Sequence, residues 1–173
     1  MAVTTWTAGQ VLAAQDLNDT FASKLDLAGG KILQIVRATD STNRSTTSTS
    51  FVDANISVTI TPQKTDSAIL LVWSYAANLS VGTSNADGRM AAQITDNSNN
   101  AVSGAENVRY GNDNYTISGT AQLRLMQTLI GYSTPATTSA TTYKGRFKRE
   151  STGVHNIVNN ESTGQLFAIE VSA

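Results

Sequence analysis

The chain contains no cysteine and a single histidine, His155, in 173 residues. Disulfides, thiol nucleophiles and Cys-ligated zinc are therefore excluded, and any His-centred triad or metal cluster would rest on one residue. Charged residues make up only 14%, well below the usual ~25%, and the formal net charge is -1. That balance gives no blanket attraction to nucleic acid or to an anionic membrane. The longest strongly apolar run, Ala68 to Trp73, is far short of the roughly 20 residues a membrane helix requires, so no membrane insertion is expected. Met1-Ala2-Val3-Thr4-Thr5 has neither a basic nor an apolar signal region, and a product soluble when made is the expectation. No GxGxxG, P-loop or HExxH occurs.

What is abundant is Ser and Thr, together roughly a quarter of the chain, with many Asn. Thr and the β-branched aliphatics suit pleated strands, and Ser, Asn and Gly suit the turns between them. At 173 residues there is room for one full domain and a short appendage.

The appendage is residues 1–30. From Ala13 to Leu25, the apolar residues Ala14, Leu17, Phe21 and Leu25 fall three and four apart and share one helical face. So short a helix is marginal alone in water, and its stripe must pack on something. It either lies on its own domain's core or docks on a partner or on other copies of the chain; docking is the preferred reading. Gly29-Gly30 breaks the pattern as a hinge.

From residue 31 to 173 the period changes to two. Strands are expected at Lys31–Val36, Phe51–Ile60, Ala68–Tyr75, Arg89–Thr95, Thr120–Tyr132, Tyr143–Lys148 and Gln165–Val171. Pro62 ends the second run because proline cannot donate to a ladder. Ala68–Tyr75 is nearly all apolar and reads as a central strand with Trp73 in the core. The Ser/Thr-rich stretch Thr39 to Ser50 reads as a solvated loop or weak edge strand. About eight strands with turn-rich loops and no later helix imply a mainly β fold, an antiparallel β-sandwich or jelly roll behind a short N-terminal helical anchor.

Two groups of segments resemble a family of small tail-fibre and virion structural proteins of tailed phages, many from marine and cyanobacterial hosts. Near the start, Thr5-Trp6-Thr7-Ala8-Gly9-Gln10-Val11-Leu12 runs into Asp16-Leu17-Asn18-Asp19-Thr20-Phe21 and is similar to the head-proximal end of phage fibres. Further on, Ser48–Asp53, Val58–Pro62, Ser67–Val72 and Ser133–Tyr143 recur in such proteins in the same order. One departure is Ala13, where the fibre pattern has a capping Thr. Ala cannot accept from the first-turn N–H groups, a loss of about 1 kcal/mol that Asp16 partly offsets through the helix dipole.

The resemblance implies a homotrimeric component of the particle surface, made in the host cytoplasm. Its anchoring and oligomer contacts would come from Trp6, Val11, Leu12, Leu17, Phe21 and Leu25. A tail fibre or fibre adaptor leads; a head fibre or capsid-decorating protein and a host-glycan receptor-binding module are the alternatives. Its partners would be its own copies, other virion proteins and, for the receptor reading, a surface glycan.

No catalytic residue, cofactor or metal site is expected. Asp96-Asn97-Ser98-Asn99-Asn100 superficially resembles a calcium loop, but without the turn glycine and terminal Glu it reads as a polar hairpin turn. The carboxylates are scattered singly, so no glycosidase pair is visible. His155 reads as a surface residue of a hairpin loop. Period-two spacing puts Lys144, Arg146 and Lys148 on one strand face, either solvated and balanced by scattered acids or contacting an acidic virion surface or anionic glycan. Asn107 to Tyr115 reads as a polar loop whose Arg109, Tyr110 and Tyr115 are candidate contacts for a sugar or partner.

Overall fold

The structure, a computed structural model, describes residues 30–81, 88–112, 121–151, 153–157, 159 and 161–173. The expected anchor helix, with Trp6, Val11, Leu12, Leu17, Phe21 and Leu25, lies outside the described residues, as does Tyr115.

The period-two reading gives a mainly β, antiparallel body. Ten strands are described: β1 (Ile32–Asp40), β2 (Arg44–Thr46), β3 (Val52–Ile60), β4 (Ala68–Val81), β5 (Gly88–Asp96), β6 (Val108–Asn112), β7 (Ala121–Ser133), β8 (Thr141–Arg149), β9 (Val154–Ile157) and β10 (Gly164–Val171). The Ser/Thr-rich stretch is divided: β1 runs on to Asp40, and Arg44–Thr46 forms a short edge strand against β9.

The first sheet is organised on β4. One of its edges pairs along its whole length with β7, from Ile69↔Ser133 to Val81↔Ala121. Its other edge is shared end to end, with Ala68–Ser74 taking β10 and Ala77–Ser80 taking β9. Beyond these, β1 pairs β10 and β2 pairs β9. The second sheet has the order β3-β8-β5-β6. Treating β1 with β2, and β9 with β10, as single interrupted strands leaves eight positions. Numbered along the chain, they run 1-8-3-6 in the first sheet and 2-7-4-5 in the second.

Both sheets turn alternate residues into one core. Ile56, Val58 and Ile60 of β3 meet Ile69, Leu71 and Trp73 of β4, with Ile94 of β5, Phe147 of β8 and Leu166 of β10. Trp73 and Tyr75 stand two apart on the same strand face and stack at 4.4 Å between ring centroids. Burying an aromatic of this size removes 150–250 Å² from water, about 4–6 kcal/mol of transfer free energy.

The Trp73 ring can lie against β8 only because that strand carries a glycine there. A Cβ on Gly145 would sit 2.8 Å from the ring atoms Cε2 and Cζ2. Ring and backbone both belong to paired strands, so neither can yield cheaply. Gly145→Ala is therefore expected to destabilise the fold by about 1–3 kcal/mol, read as a lower urea midpoint at unchanged slope; a midpoint equal to wild type would show that the ring is not confined there.

Candidate functional site

The basic row of β8 faces outward, while Tyr143, Gly145 and Phe147 face the core. The cations do not stand unpaired. Asp53 of β3 takes Arg146 at 3.0 Å and Lys144 at 3.7 Å, and Arg146 also donates to the Phe51 carbonyl at 2.7 Å. Farther along, Glu150 takes Lys148 at 3.2 Å and Arg109 at 2.8 Å. Antiparallel pairing explains the convergence: Arg109 and Lys148 are both registered on Ala91 of β5, one from each side. Ala91 is fully buried between them. Thus Arg109 and Lys148 share one cluster, and Lys144 and Arg146 belong to another. Sequence reasoning passed over the acids that divide them, Asp53 and Glu150, because each pairs with a cation in another strand or segment.

Residues 108–112 are strand, not loop, and alternation turns Tyr110 inward and Arg109 outward. The Tyr110 hydroxyl bonds Tyr75 Oη at 3.2 Å and also His155 Nε2. The polar end of Tyr110 is thus committed to the core and not offered to a sugar. His155 likewise corrects the surface reading: it lies on β9, is wholly buried, and packs edge-on against Phe147 at 4.9 Å. Burial pushes its pKa down to about 4, against a smaller opposing effect of the Lys148 carbonyl.

A neutral ring fits its partners. Nδ1 faces the Lys148 carbonyl at 3.0 Å, which can only accept, so Nδ1 carries the proton. Nε2 then accepts from Tyr110, whose oxygen accepts from Tyr75. Burial raises the pKa of both tyrosines, so both hydroxyls stay protonated. Every polar side-chain atom of this Tyr75–Tyr110–His155 relay has a partner, which makes it a structural tie between β4, β6 and β9.

The outer face of the first sheet differs from that of the second. Across β1, β10, β4 and β7 the register places Ile35, Ile169, Leu70 and Tyr132 in one row and Arg37, Phe167, Val72 and Ile130 in the next. Thr39, Gln165, Ser74 and Thr128 close the patch with a polar row. Ile35, Ile130 and Tyr132 are 57%, 58% and 54% exposed. Four strands ~4.8 Å apart and two apolar rows ~7 Å apart make this a face of roughly 270 Å², near the lower end of the 300–600 Å² of the largest patch on a typical monomer, a feature that is often functional. The sequence held a signal for it: both phases of β7 carry large apolar residues, Leu123, Leu125 and Leu129 inward and Met126, Ile130 and Tyr132 outward. A strand apolar on both faces needs cover on both.

Among the described residues no three His, Asp or Glu side chains come together as a metal cluster. Asp96 organises its own turn, accepting from the Ser98 and Asn100 backbone at 2.8 and 2.9 Å.

No family model matches the chain, and no curated protein matches it. Among solved structures, the chain has likenesses to the D431N mutant VP2 protein of infectious bursal disease virus and to the enzymatically active domain of bacteriophage CBA120 tailspike protein 4. The first is 12% identical over 79% of this chain and 36% of that one, with a TM-score of 0.31. The second is 12% identical over 81% of this chain and 20% of that one, with a TM-score of 0.22. The chain thus spans about a third and a fifth of these proteins, and at such scores neither transfers a fold or a function to it.

The buried histidine gives a pH dependence of stability. Its pKa is lower folded than unfolded (about 4 against 6.5), so the unfolded chain takes up the proton first. Stability is full above pH 6.5 and falls as pH drops toward 4, by about 2 kcal/mol between pH 7 and 5. Asp96 and Glu170 act below that window: burial raises both, but hydrogen bonds from Asn100 and from Gln34 outweigh it and hold them low. Urea titrations at pH 7 and 5 should show this loss, and His155→Gln, which keeps a donor and an acceptor without titrating, should remove most of it.

Proposed function

We propose that the chain is a non-enzymatic structural component of a tailed-phage particle, a trimeric fibre or fibre adaptor that displays its β-body from an N-terminal attachment segment. The observation that carries this reading is the apolar outer face of the first sheet, which monomeric use would leave in water. Its occupant in this reading is another copy of the same chain. That face begins at β1, where the N-terminal segment joins the body, so copies gathered by the stripe of Leu17, Phe21 and Leu25 would meet next through it. Burying roughly 270 Å² of apolar surface from each copy against its neighbours contributes about 7 kcal/mol per copy before the entropy of association is subtracted.

Two further observations support the reading. The strand order 1-8-3-6 and 2-7-4-5 is that of a jelly roll, the double-sheet architecture used by viral capsid and lectin domains and by cupins. A cupin-type metal centre would need several histidines, and the chain has one, committed to the core. Four of the described carboxylates are engaged in ion pairs: Asp40 with Arg44, Asp53 with Lys144 and Arg146, Glu150 with Lys148 and Arg109, Glu161 with Arg124. Such engagement supports a structural role over glycan hydrolysis. The sequence resemblance to phage fibre and virion proteins supports an assembly carried on a particle.

Light scattering on the purified full chain should give three times the mass of one chain, and Ile35→Lys with Ile130→Lys should shift it to the monomer by weakening association at least ~100-fold. A monomeric wild type would overturn the trimer. Cryo-electron microscopy of the particle separates the remaining readings: density at the tail or collar supports a fibre or adaptor, and spikes on the head shell make it a head fibre or decoration protein.

A further inference from the structure

The edges of the two sheets are not alike. Among the described residues the edge strands are β1, β2 and β7 in the first sheet and β3 and β6 in the second. The strands β2 and β6 are three and five residues long. The register of β1 is broken between Ile32 and Gln34, and Gln63 Nε2 donates to its Leu33 carbonyl at 3.2 Å. That of β3 is broken between Asp53 and Ser57, and Arg44 Nε donates to its Ala54 carbonyl at 2.6 Å. Short length, bulges and covering side chains are the means by which exposed edges avoid pairing with other chains.

None of these guards β7. Its 13 residues pair with β4 without a register break. They include no proline, and their one charge, Arg124, is held by Glu161 at 2.8 Å. On the far edge the one described bridge lies at the end of the strand, where the Tyr132 N–H donates to the Ser103 carbonyl at 2.8 Å. That bond fixes the phase. Tyr132 directs its N–H away from β4 and antiparallel pairing alternates along the strand, so Gln122, Arg124, Met126, Thr128 and Ile130 do the same with N–H and C=O. These backbone groups have no partner among the described residues. The flanking side chains are left uncovered as well. Met126 and Ile130 are 56% and 58% exposed on the outer face, and Leu123 and Leu125 turn toward the core yet stay only partly buried.

A row of donors and acceptors repeating every ~7 Å, with apolar side chains on both faces, matches the backbone of an extended polypeptide. We propose that the free edge of β7 is a docking site for an extended segment of a partner polypeptide different from this chain, which adds a strand to the first sheet beside residues 122–130. The segment spans about nine residues, or ~30 Å. It is apolar where it flanks Met126 and Ile130 on one face and Leu123 and Leu125 on the other. The choice of a foreign segment over a second copy rests on the threefold reading above. A threefold axis never sets one edge against itself, and the other described edges of a neighbouring copy are short, broken or capped.

Residue-resolved amide hydrogen exchange on the full chain, free in solution and carried on the particle, tests the site. In the free chain the N–H groups of Gln122, Arg124, Met126, Thr128 and Ile130 should exchange at least ~100-fold faster than those of Leu123, Leu125 and Leu129, which face β4. On the particle the two sets should be protected alike. Thr128→Pro removes one outward donor and spares the β4 ladder, and Thr128→Lys keeps the backbone but adds a charge to the edge. Each should retain the wild-type mass and unfolding midpoint and lose the protection gained at Met126 and Ile130. Outward amides that exchange equally fast in both settings would overturn the site, as would variants protected like wild type. Protection already present in the free chain, with a doubled mass by light scattering, would assign the edge to a second copy and overturn the foreign segment. A monomeric mass with protection gained on the particle would remove the trimer yet support the edge site, so the two readings fail separately.

Discussion

The position of Trp73 against Gly145 governs much else in this protein. One side chain from the central strand of the first sheet reaches across the core to the backbone of a strand in the second, at a contact that leaves no room for a methyl group. Face-packed sheets lie about 10 Å apart, and a ring spanning that gap pins both separation and register. Tyr75, stacked on Trp73 from two residues along, continues the contact toward Tyr110 and His155. Because β4 pairs with β7, β9 and β10, whatever holds its inner face also holds those three strands.

Two ionisable groups inside the core, His155 and Glu170, are each held by hydrogen-bond partners. His155 sits among Phe147, Tyr110 and Tyr75, an environment that disfavours its charge, and it is accommodated as a neutral ring with one donor and one acceptor. Glu170, also wholly buried by surface area, accepts from the Gln63 backbone at 2.7 Å and the Gln34 side chain at 2.5 Å. It thereby fastens the loop before β4 to the last strand. Such networks raise specificity for one arrangement of strands, since a register slip would strand each group unpaired.

The two outer faces divide the work at the surface. One is apolar over three strands and more, with Arg37 laid over the Phe167 ring at 5.8 Å as its charged member. The other carries charge in two clusters, each built around a single carboxylate. Surface ion pairs of this kind contribute little to stability, typically 0–1 kcal/mol, so their value lies in orientation.

Strand identity was largely legible in the sequence, because period-two alternation is a local property. Ile56, Val58 and Ile60 declared the inner face of β3, and Lys144, Arg146 and Lys148 the outer face of β8, without reference to any other strand. Residues 31–36 and 165–171 likewise announced the first and last strands. Where alternation fails, the sequence falls silent: β4 and β10 are apolar in both phases, so no local pattern says which side meets the core and which is left for a partner. His155 and Tyr110 were misplaced for a related reason. Flanking Gly, Asn and Asp made their segments resemble loops, and only pairing with β4 and β5 drew them into strands with those side chains turned inward. The ion pairs Arg109–Glu150 and Arg146–Asp53 join residues 41 and 93 positions apart, and such partners are chosen by sheet register alone. What the sequence determined by itself was the β-body, its inner-facing residues and its want of thiol or histidine chemistry; which polar groups meet, and which apolar face stays uncovered, was decided by the order in which the strands pack.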